Sequence, residues 1–359
     1  MKFKKKKFFL IKRKKIEKEN IKILLLKLLI LVILIIFYSP IIIFSYKKDK
    51  TNKEIKTIEA KNETKVIEIK KEAKNETKKF EYYCCFCGMG KLENLYSREL
   101  ISYYMNLGVE KFVFGDNNIK GTEKLSDVLQ DYISNGTVDI LEIFGSDIGQ
   151  AEFYGKMYNK YKDRCEWLSF FDFDEYLVMH FEKGKNIPLK EYLSNSIFDK
   201  CEAIEFNWLM YGDNGLVHYE NKSSIERFTV PDFGNYANRF VKSIIRGNLT
   251  KTVFIPGKTH HQPSRDLNVC DSMGNIPDYY PDCIIPPRFK YAYLMHFNTR
   301  TAEEYANKIK RGYPGNHFEN VDERIKLFFS LNKFTREKLK VFEDKFNKTF
   351  LSYHSRKEL

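Results

Sequence analysis

The sequence predicts an α/β fold, a mostly parallel sheet with helices on both faces, held behind one membrane-spanning segment. Three observations predict it. After residue 80, short apolar runs alternate with stretches of helical periodicity, the order that builds parallel βα units. One of those runs, EWLSFFDFD, stays largely apolar until it meets two aspartates. Before residue 47 the chain is dominated by basic and aliphatic residues.

The N-terminal part divides by composition. Residues 1–22 form a tail with eleven Lys and Arg, which holds much of the formal charge of +13. Such a charge invites an anionic partner. Confined to a tail it gives the rest of the chain no basic face, and no nucleic-acid partner is expected. From Ile23 to Phe44 the chain is apolar except for Lys27, Ser39 and Pro40, and a span is assigned to residues 23–45. As a helix it is long enough for a hydrocarbon core of about 30 Å, and Lys27 near the basic end can snorkel. A cleaved signal peptide has a shorter apolar core and a small-residue exit, and this run has neither. The basic tail puts the N-terminus in the cytoplasm, so the chain reads as a single-pass type II membrane protein. Residues 46–80 are rich in Lys and Glu, repeat AKNETK, and contain no Gly or Pro. They read as a solvated stem.

All seven cysteines, 84, 85, 87, 165, 201, 270 and 283, lie beyond the stem. That placement suits an oxidising compartment and some disulfides, and an odd count leaves at least one thiol unpaired within a monomer. CCFC at 84–87 has no second Cys/His pair at zinc-finger spacing, so it reads as disulfide or buried thiol. Asn62, Asn75, Asn135, Asn221, Asn248 and Asn347 stand in glycosylation sequons, which matter on a eukaryotic secretory route.

In the globular part, LENLYSRELISYYMNLG has helical spacing and ends at Gly108. KFVFGDNN reads as a buried strand and turn. Thr122 is placed as the cap of one helix over EKLSDVLQDYIS. VDILEIF is a strand, GQAEFYGKMYNKYKD a helix and EWLSFFDFD a strand. Beyond it, CEAIEFNWLMYGDNG, NRFVKSIIRG, KTVFIPGKTHHQP and YAYLMHF read as further strands, with a strand or loop over GLVHYENKSSIERFTV. The last helix, TAEEYANKIKRG, opens with the capping-box pair Thr301 and Glu304 and ends at Gly312.

The aspartates after EWLSFF have a physical reading. Ligands of such sheets bind at the carboxyl ends of the strands. Asp172 and Asp174 are alternate residues of an extended segment, so both point to one side. Two such carboxylates can hold a hard divalent cation whose shell is completed by water and substrate phosphates. The plainer reading makes them helix caps or ion pairs.

The segments LGVEKFVFGDNN, EWLSFFDFDEYL, IEFNWLMYGDNG followed by IERF, VKSIIR, THHQP and LMHFNTRTAEEYANKIKRG together resemble glycosyltransferase family 92, over roughly residues 81–312. CCFCGMGKLEN departs from the family pattern, and LMHF keeps the histidine where His-Tyr is common. The resemblance implies a GT-A fold over residues 81–320, then a helical extension over 321–359. It implies a metal-dependent, inverting transfer of a hexose, with galactose favoured, from a UDP-sugar donor to a glycan or glycoconjugate acceptor in the Golgi lumen. With the resemblance added, Asp174 and Asp172 become ligands of Mn²⁺ or Mg²⁺, Asp172 with a ribose contact as well. His296 completes the shell, against the plainer reading of a core histidine. Asp116 and Asn117 contact base or ribose, unless they only form a turn. Lys242, Arg246, Lys308 and Arg311 are candidate diphosphate contacts. Trp208, His260 and His261 are acceptor contacts, and Trp208 reads equally well as core. Asp213 and Glu226 are the two candidates for the general base.

Two rival classes remain in view. A metal-dependent phosphatase needs a downstream lysine and acidic pair in order, and the chain does not supply them. A noncatalytic, membrane-tethered carbohydrate-binding protein derived from the same fold would keep most of these motifs.

Overall fold

The computed structural model describes residues 26–29, 80–144, 148–181, 184–254, 263–264, 266–277, 279–280, 283–312 and 320–354. Residues 26–29 are helical and exposed. The tail 1–22, the rest of the span 23–45 and the stem expected over 46–80 lie outside the described residues, Phe80 apart. Among the described residues no helix is long and apolar enough to cross a membrane. Residues Phe80–Leu359 form a compact unit of their own.

The first half of that unit contains β1 (Tyr82–Gly90), α1 (Asn94–Asn106), β2 (Lys111–Asp116), α2 (Leu125–Val128), α3 (Gln130–Ser134), β3 (Val138–Glu142), α4 (Gln150–Tyr161) and β4 (Cys165–Phe170). There follow β5 (Glu175–Met179), α5 (Leu189–Leu193), β6 (Ala203–Tyr211), α6 (Ser224–Arg227), β7 (Pro231–Asp232), β8 (Val241–Arg246), β9 (Val269–Asp271), the hairpin β10 (Tyr279–Tyr280) and β11 (Cys283–Ile284), and β12 (Ala292–His296). Among the described residues four helices close the unit: α7 (Ala302–Arg311), α8 (Val321–Leu331), α9 (Arg336–Phe346) and α10 (Leu351–His354).

The main sheet runs β3-β2-β1-β4-β8-β6-β12-β5, with β7 and β9 attached to β6. From β3 to β4 every pairing is parallel. β8 then lies antiparallel to both β4 and β6, and β5 antiparallel to β12. The sheet is therefore mixed rather than mostly parallel. Parallel neighbours need a crossover of a dozen or more residues, usually a helix. Between β6 and β8 the chain has only single helical turns, and β8 returns antiparallel.

Strand alternation divides the core between the two faces. Phe86, Phe112, Phe114 and Trp167 pack on one face with Leu100, Ile101 and Tyr104 of α1. Cys85, Cys87, Val113 and Leu168 pack on the other with Phe153, Met157 and Tyr161 of α4. Gly115 makes this second layer possible, because a Cβ there would lie 2.5 Å from the Phe153 ring. Cys85–Cys165 joins β1 to β4, and Cys201–Cys270 joins the approach to β6 to β9. Cys84, Cys87 and Cys283 are buried thiols. A third cluster joins Tyr305 of α7 to Ile325, Phe328, Leu339 and Phe342 of α8 and α9. The extension from 321 onward thus shares its core with α7.

Two local readings change. The helix expected over EKLSDVLQDYIS is two short helices, α2 and α3. Thr122 does not cap them: its hydroxyl donates to the Ile119 carbonyl at 2.7 Å. The first amide of α2, on Leu125, is instead satisfied by Asp116 at 2.7 Å. The strand or loop over 215–230 contains a single helical turn, α6, closed by a capping box of Ser223 and Glu226.

The capping box expected at α7 is present: Thr301 Oγ1 accepts from the Glu304 amide at 3.2 Å and donates to the Glu304 carboxylate at 2.7 Å. Thr301→Ala removes both bonds from a fully buried position. It is expected to cost about 1 kcal/mol, read as a lower midpoint in urea unfolding.

Candidate active site

The β4 strand emerges into Phe171-Asp172-Phe173-Asp174, and alternation sorts this loop. Phe171 and Phe173 are buried in the face covered by α1. Phe173 lies 4.9 Å from the Phe114 ring and Phe171 6.1 Å from Phe86. The aromatic pair pins the loop, and the intervening aspartates both line a cavity of about 250 Å³ at the strand ends. Glu175 turns back beneath them: it is fully buried and accepts from the Asp172 amide at 2.8 Å.

Each carboxylate has a cation beside it, as burial requires. Lys242 of β8, itself fully buried, donates to Asp172 at 2.6 Å and lies 3.5 Å from Glu175. Gln150 and Tyr154 of α4 donate to the other Asp172 oxygen at 2.9 and 3.2 Å. Lys308 of α7 donates to Asp174 at 2.7 Å. His296, at the end of β12, places Nε2 3.5 Å from Asp174. Burial alone would raise the Asp174 carboxyl, but Lys308 and His296 outweigh it and hold it well below the usual range. Burial lowers His296 below the usual imidazole range, against the pull of Asp174. Burial pushes Glu175 up to about 8, against the pull of Lys242.

The cavity wall is cationic on balance. Lys91, Lys308, Arg311 and Arg324 line it together with Glu93, Asp172 and Asp174. Behind the wall, Lys242 pairs with Asp172, and Arg300 lies 3.2 Å from Glu93, which Arg311 also engages. Trp208 closes one side with its ring 4.3 Å from His296. Such a wall, with paired acids at its base, suits a polyanionic ligand.

The model of glycosyltransferase family 92 matches residues 80–356. The chain belongs to this family. Among its relatives is galactan beta-1,4-galactosyltransferase GALS3 of Arabidopsis thaliana, 22% identical over 229 residues, which are 58% of this chain and 44% of that protein. A glycosyltransferase family 92 protein of the same plant is 24% identical over 198 residues, 54% of this chain and 33% of the relative. The chain thus spans less than half the length of these two proteins. Of solved structures, S. aureus TarS in complex with UDP-GlcNAc is matched at 11% identity and a TM-score of 0.32, over 73% of this chain and 79% of that one.

For a family 92 chain the donor set can be tested against a divalent cation. Among the described residues no three His, Cys, Asp or Glu side chains gather into a metal cage. The Asp174 and His296 pair does fit: a carboxylate oxygen and an imidazole nitrogen 3.5 Å apart, facing one cavity. His296 Nδ1 makes no hydrogen bond among the described residues. Two protein ligands, with substrate phosphates and water for the rest, is the pattern of a nucleotide-borne cation. Asp172, with Lys242, Gln150 and Tyr154 on its oxygens, stands beside that pair.

Other expected site residues are placed elsewhere. Asp213 is buried 2.6 Å from Lys338 of α9 and does not line the cavity. Glu226 bonds to Ser223 in the capping box of α6 and does not line it either. Neither candidate base is brought to the site: Asp213 is taken up by its own turn and by Lys338, and Glu226 by the cap of α6. Asp116 accepts from the Asn118 and Leu125 amides, and burial raises its carboxyl. With Asn117 it forms the turn after β2 and lies outside the lining. Arg246 bonds to the Cys201 and Phe198 carbonyls and stacks 4.2 Å over Trp167. His260 and His261 lie outside the described residues.

Lys91, Glu93, Gln150, Asn298 and Arg324 line the cavity without having been singled out. Lys91 and Glu93 follow β1 directly. Reading CCFCGMG as a buried strand would have pointed to them, since ligands collect where strands end. Arg324 comes from α8, beyond the expected catalytic boundary, and carries no local signal.

Asp213→Asn leaves the Lys338 ammonium buried without its counter-ion. Breaking such a pair is expected to cost about 3–5 kcal/mol, seen as a lower melting temperature. Nucleotide binding by the protein that remains folded should stay near the parent's.

Proposed function

We propose that this chain is a glycosyltransferase that moves a hexose from a nucleotide-sugar donor to a glycan acceptor, with a divalent cation at Asp174 and His296. One observation carries the reading: Asp172, Asp174, His296, Lys308 and Arg311 converge on one cavity at the strand ends, in a family 92 chain. UDP-galactose is the favoured donor, which accords with the named activity of the Arabidopsis thaliana relative. A GT-A arrangement accords with the parallel β3-β2-β1-β4 half and its strand-end acids.

The chain's residues divide the work. Lys308 and Arg311 offer N–H donors to the phosphates, where negative charge builds as the sugar leaves. When bound, the Mn²⁺ or Mg²⁺ stabilises that same charge. Asp172, oriented by Lys242, Gln150 and Tyr154, accepts from donor hydroxyls. Trp208 gives the sugar an apolar wall. Transfer inverts the anomeric carbon, which the anomeric coupling constant of the product reads directly.

The basic tail and the apolar run at residues 23–45 anchor the chain as a type II membrane protein, with the compact unit in the Golgi lumen. A glycosylation reporter fused at the C-terminus should then be modified in a eukaryotic host. An unmodified reporter, protease-accessible from the cytoplasmic side, reverses the orientation.

The activity is tested by a donor and acceptor screen with the full chain. Transfer from UDP-galactose should require Mn²⁺ or Mg²⁺ and disappear with a chelator. Asp174→Asn removes a ligand and a charge with little change of shape. It should lower transfer by about 10²–10³, the range seen when one transition-state charge contact is lost. Full activity of Asp174→Asn in chelator overturns the assignment.

A further inference from the structure

Lys308 stands where two needs collide. Its ammonium donates to Asp174 Oδ2 at 2.7 Å and to the Asn298 carbonyl and Oδ1, each at 2.9 Å. Those three bonds use all three of its donors. The other Asp174 oxygen faces His296. A cation approaching Asp174 therefore meets an ammonium already seated there, and like charges at such range repel.

The position also leaves Lys308 room to move. It lines the strand-end cavity and a neighbouring one of about 340 Å³. Arg311, three residues later on α7, lines the same two cavities. A nucleoside diphosphate between them offers the ammonium a second anionic seat.

We propose that Lys308 is a built-in stand-in for the divalent cation: it holds Asp174 until a nucleoside diphosphate draws it away, so cation and nucleotide bind cooperatively. This rests on the cation reading proposed above. The exchange breaks no covalent bond. The ammonium passes from the carboxylate to a phosphate oxygen, and the freed carboxylate oxygen takes the cation. Linkage makes the coupling reciprocal.

The test is Mn²⁺ binding to the full chain, followed by electron paramagnetic resonance of the free ion, without nucleotide and with UDP. Without nucleotide the parent should bind Mn²⁺ weakly. Lys308→Met should bind it at least about tenfold more tightly, within the usual range of such couplings, and UDP should then add less. Asn298→Ala removes one of the three Lys308 acceptors and keeps the charge. It should shift the nucleotide-free affinity in the same direction by a smaller factor, and it serves where Lys308→Met fails to fold. Asp174→Asn should abolish binding in both conditions. If the parent binds Mn²⁺ with UDP while both variants match it without nucleotide, the stand-in role is overturned and the cation reading survives. If the parent binds no Mn²⁺ even with UDP, both fall.

Discussion

Three carboxylates within four residues, Asp172, Asp174 and Glu175, end an apolar strand, and the rest of the site depends on how they are paid for. Burying them unpaired would cost more than a domain's net stability can absorb. The chain meets this with two lysines from distant segments. Lys242 comes from β8 and reaches Asp172 and Glu175. Lys308 comes from α7 and reaches Asp174. Those pairs require β8 beside β4 and α7 over the strand ends. The antiparallel insertion of β8 and the placement of α7 are therefore linked to the same electrostatic need.

Another buried acid of the unit makes the contrast plain. Asp213 has its own lysine, Lys338, and also accepts from the Gly215 amide at 2.8 Å. Its partner is fully buried in the C-terminal helices, and neither residue lines the strand-end cavity. Burial and pairing are alike in Asp213 and Asp174. What differs is access: Asp174 opens onto a cavity with other cations in its wall. A perturbed or paired acid is a site candidate only when the surrounding space admits a ligand.

That distinction also sets how much was legible in the sequence. β4, α4, β12 and α7 are read correctly from periodicity and caps, because each has a strong local pattern. Asp172, Asp174, His296 and Lys308 line one cavity; the strand-end position of the two aspartates is legible from the apolar run before them, whereas His296 and Lys308 are named only through the family resemblance. β1 carries no legible strand signal, because a strand buried on both faces shows no alternation, and its cysteines point to metal or disulfide chemistry instead. The helix expected from Thr122 starts instead at Leu125, because Asp116, a residue from another element, supplies the bond that starts α2. Asp213 and Glu226 follow the same logic: a turn-forming or capping acid looks like a base until its partners are seen. The mixed order of the sheet was hidden because pairing direction depends on what the 212–240 segment builds, and that segment has no periodic signal.

The helix α7 connects these strands of reasoning. Its N-terminus is fixed by Thr301 and Glu304, and Glu304 is also held by Arg227 at 2.7 Å and the Tyr96 hydroxyl at 2.7 Å. Its back packs through Tyr305 and Ala306 on α8 and α9. Its front carries Lys308 and Arg311 into the cavity. The C-terminal helices, which have no catalytic motif of their own, are thus the support against which both cations are aimed, and α8 adds Arg324 to the same wall. A site built from strand-end acids and helix-borne cations needs both supports to be rigid relative to each other, because charge pairs lose strength steeply when their geometry loosens. The shared core of α7, α8 and α9 supplies that rigidity on the cationic side, as the Phe171 and Phe173 anchors do on the acidic side.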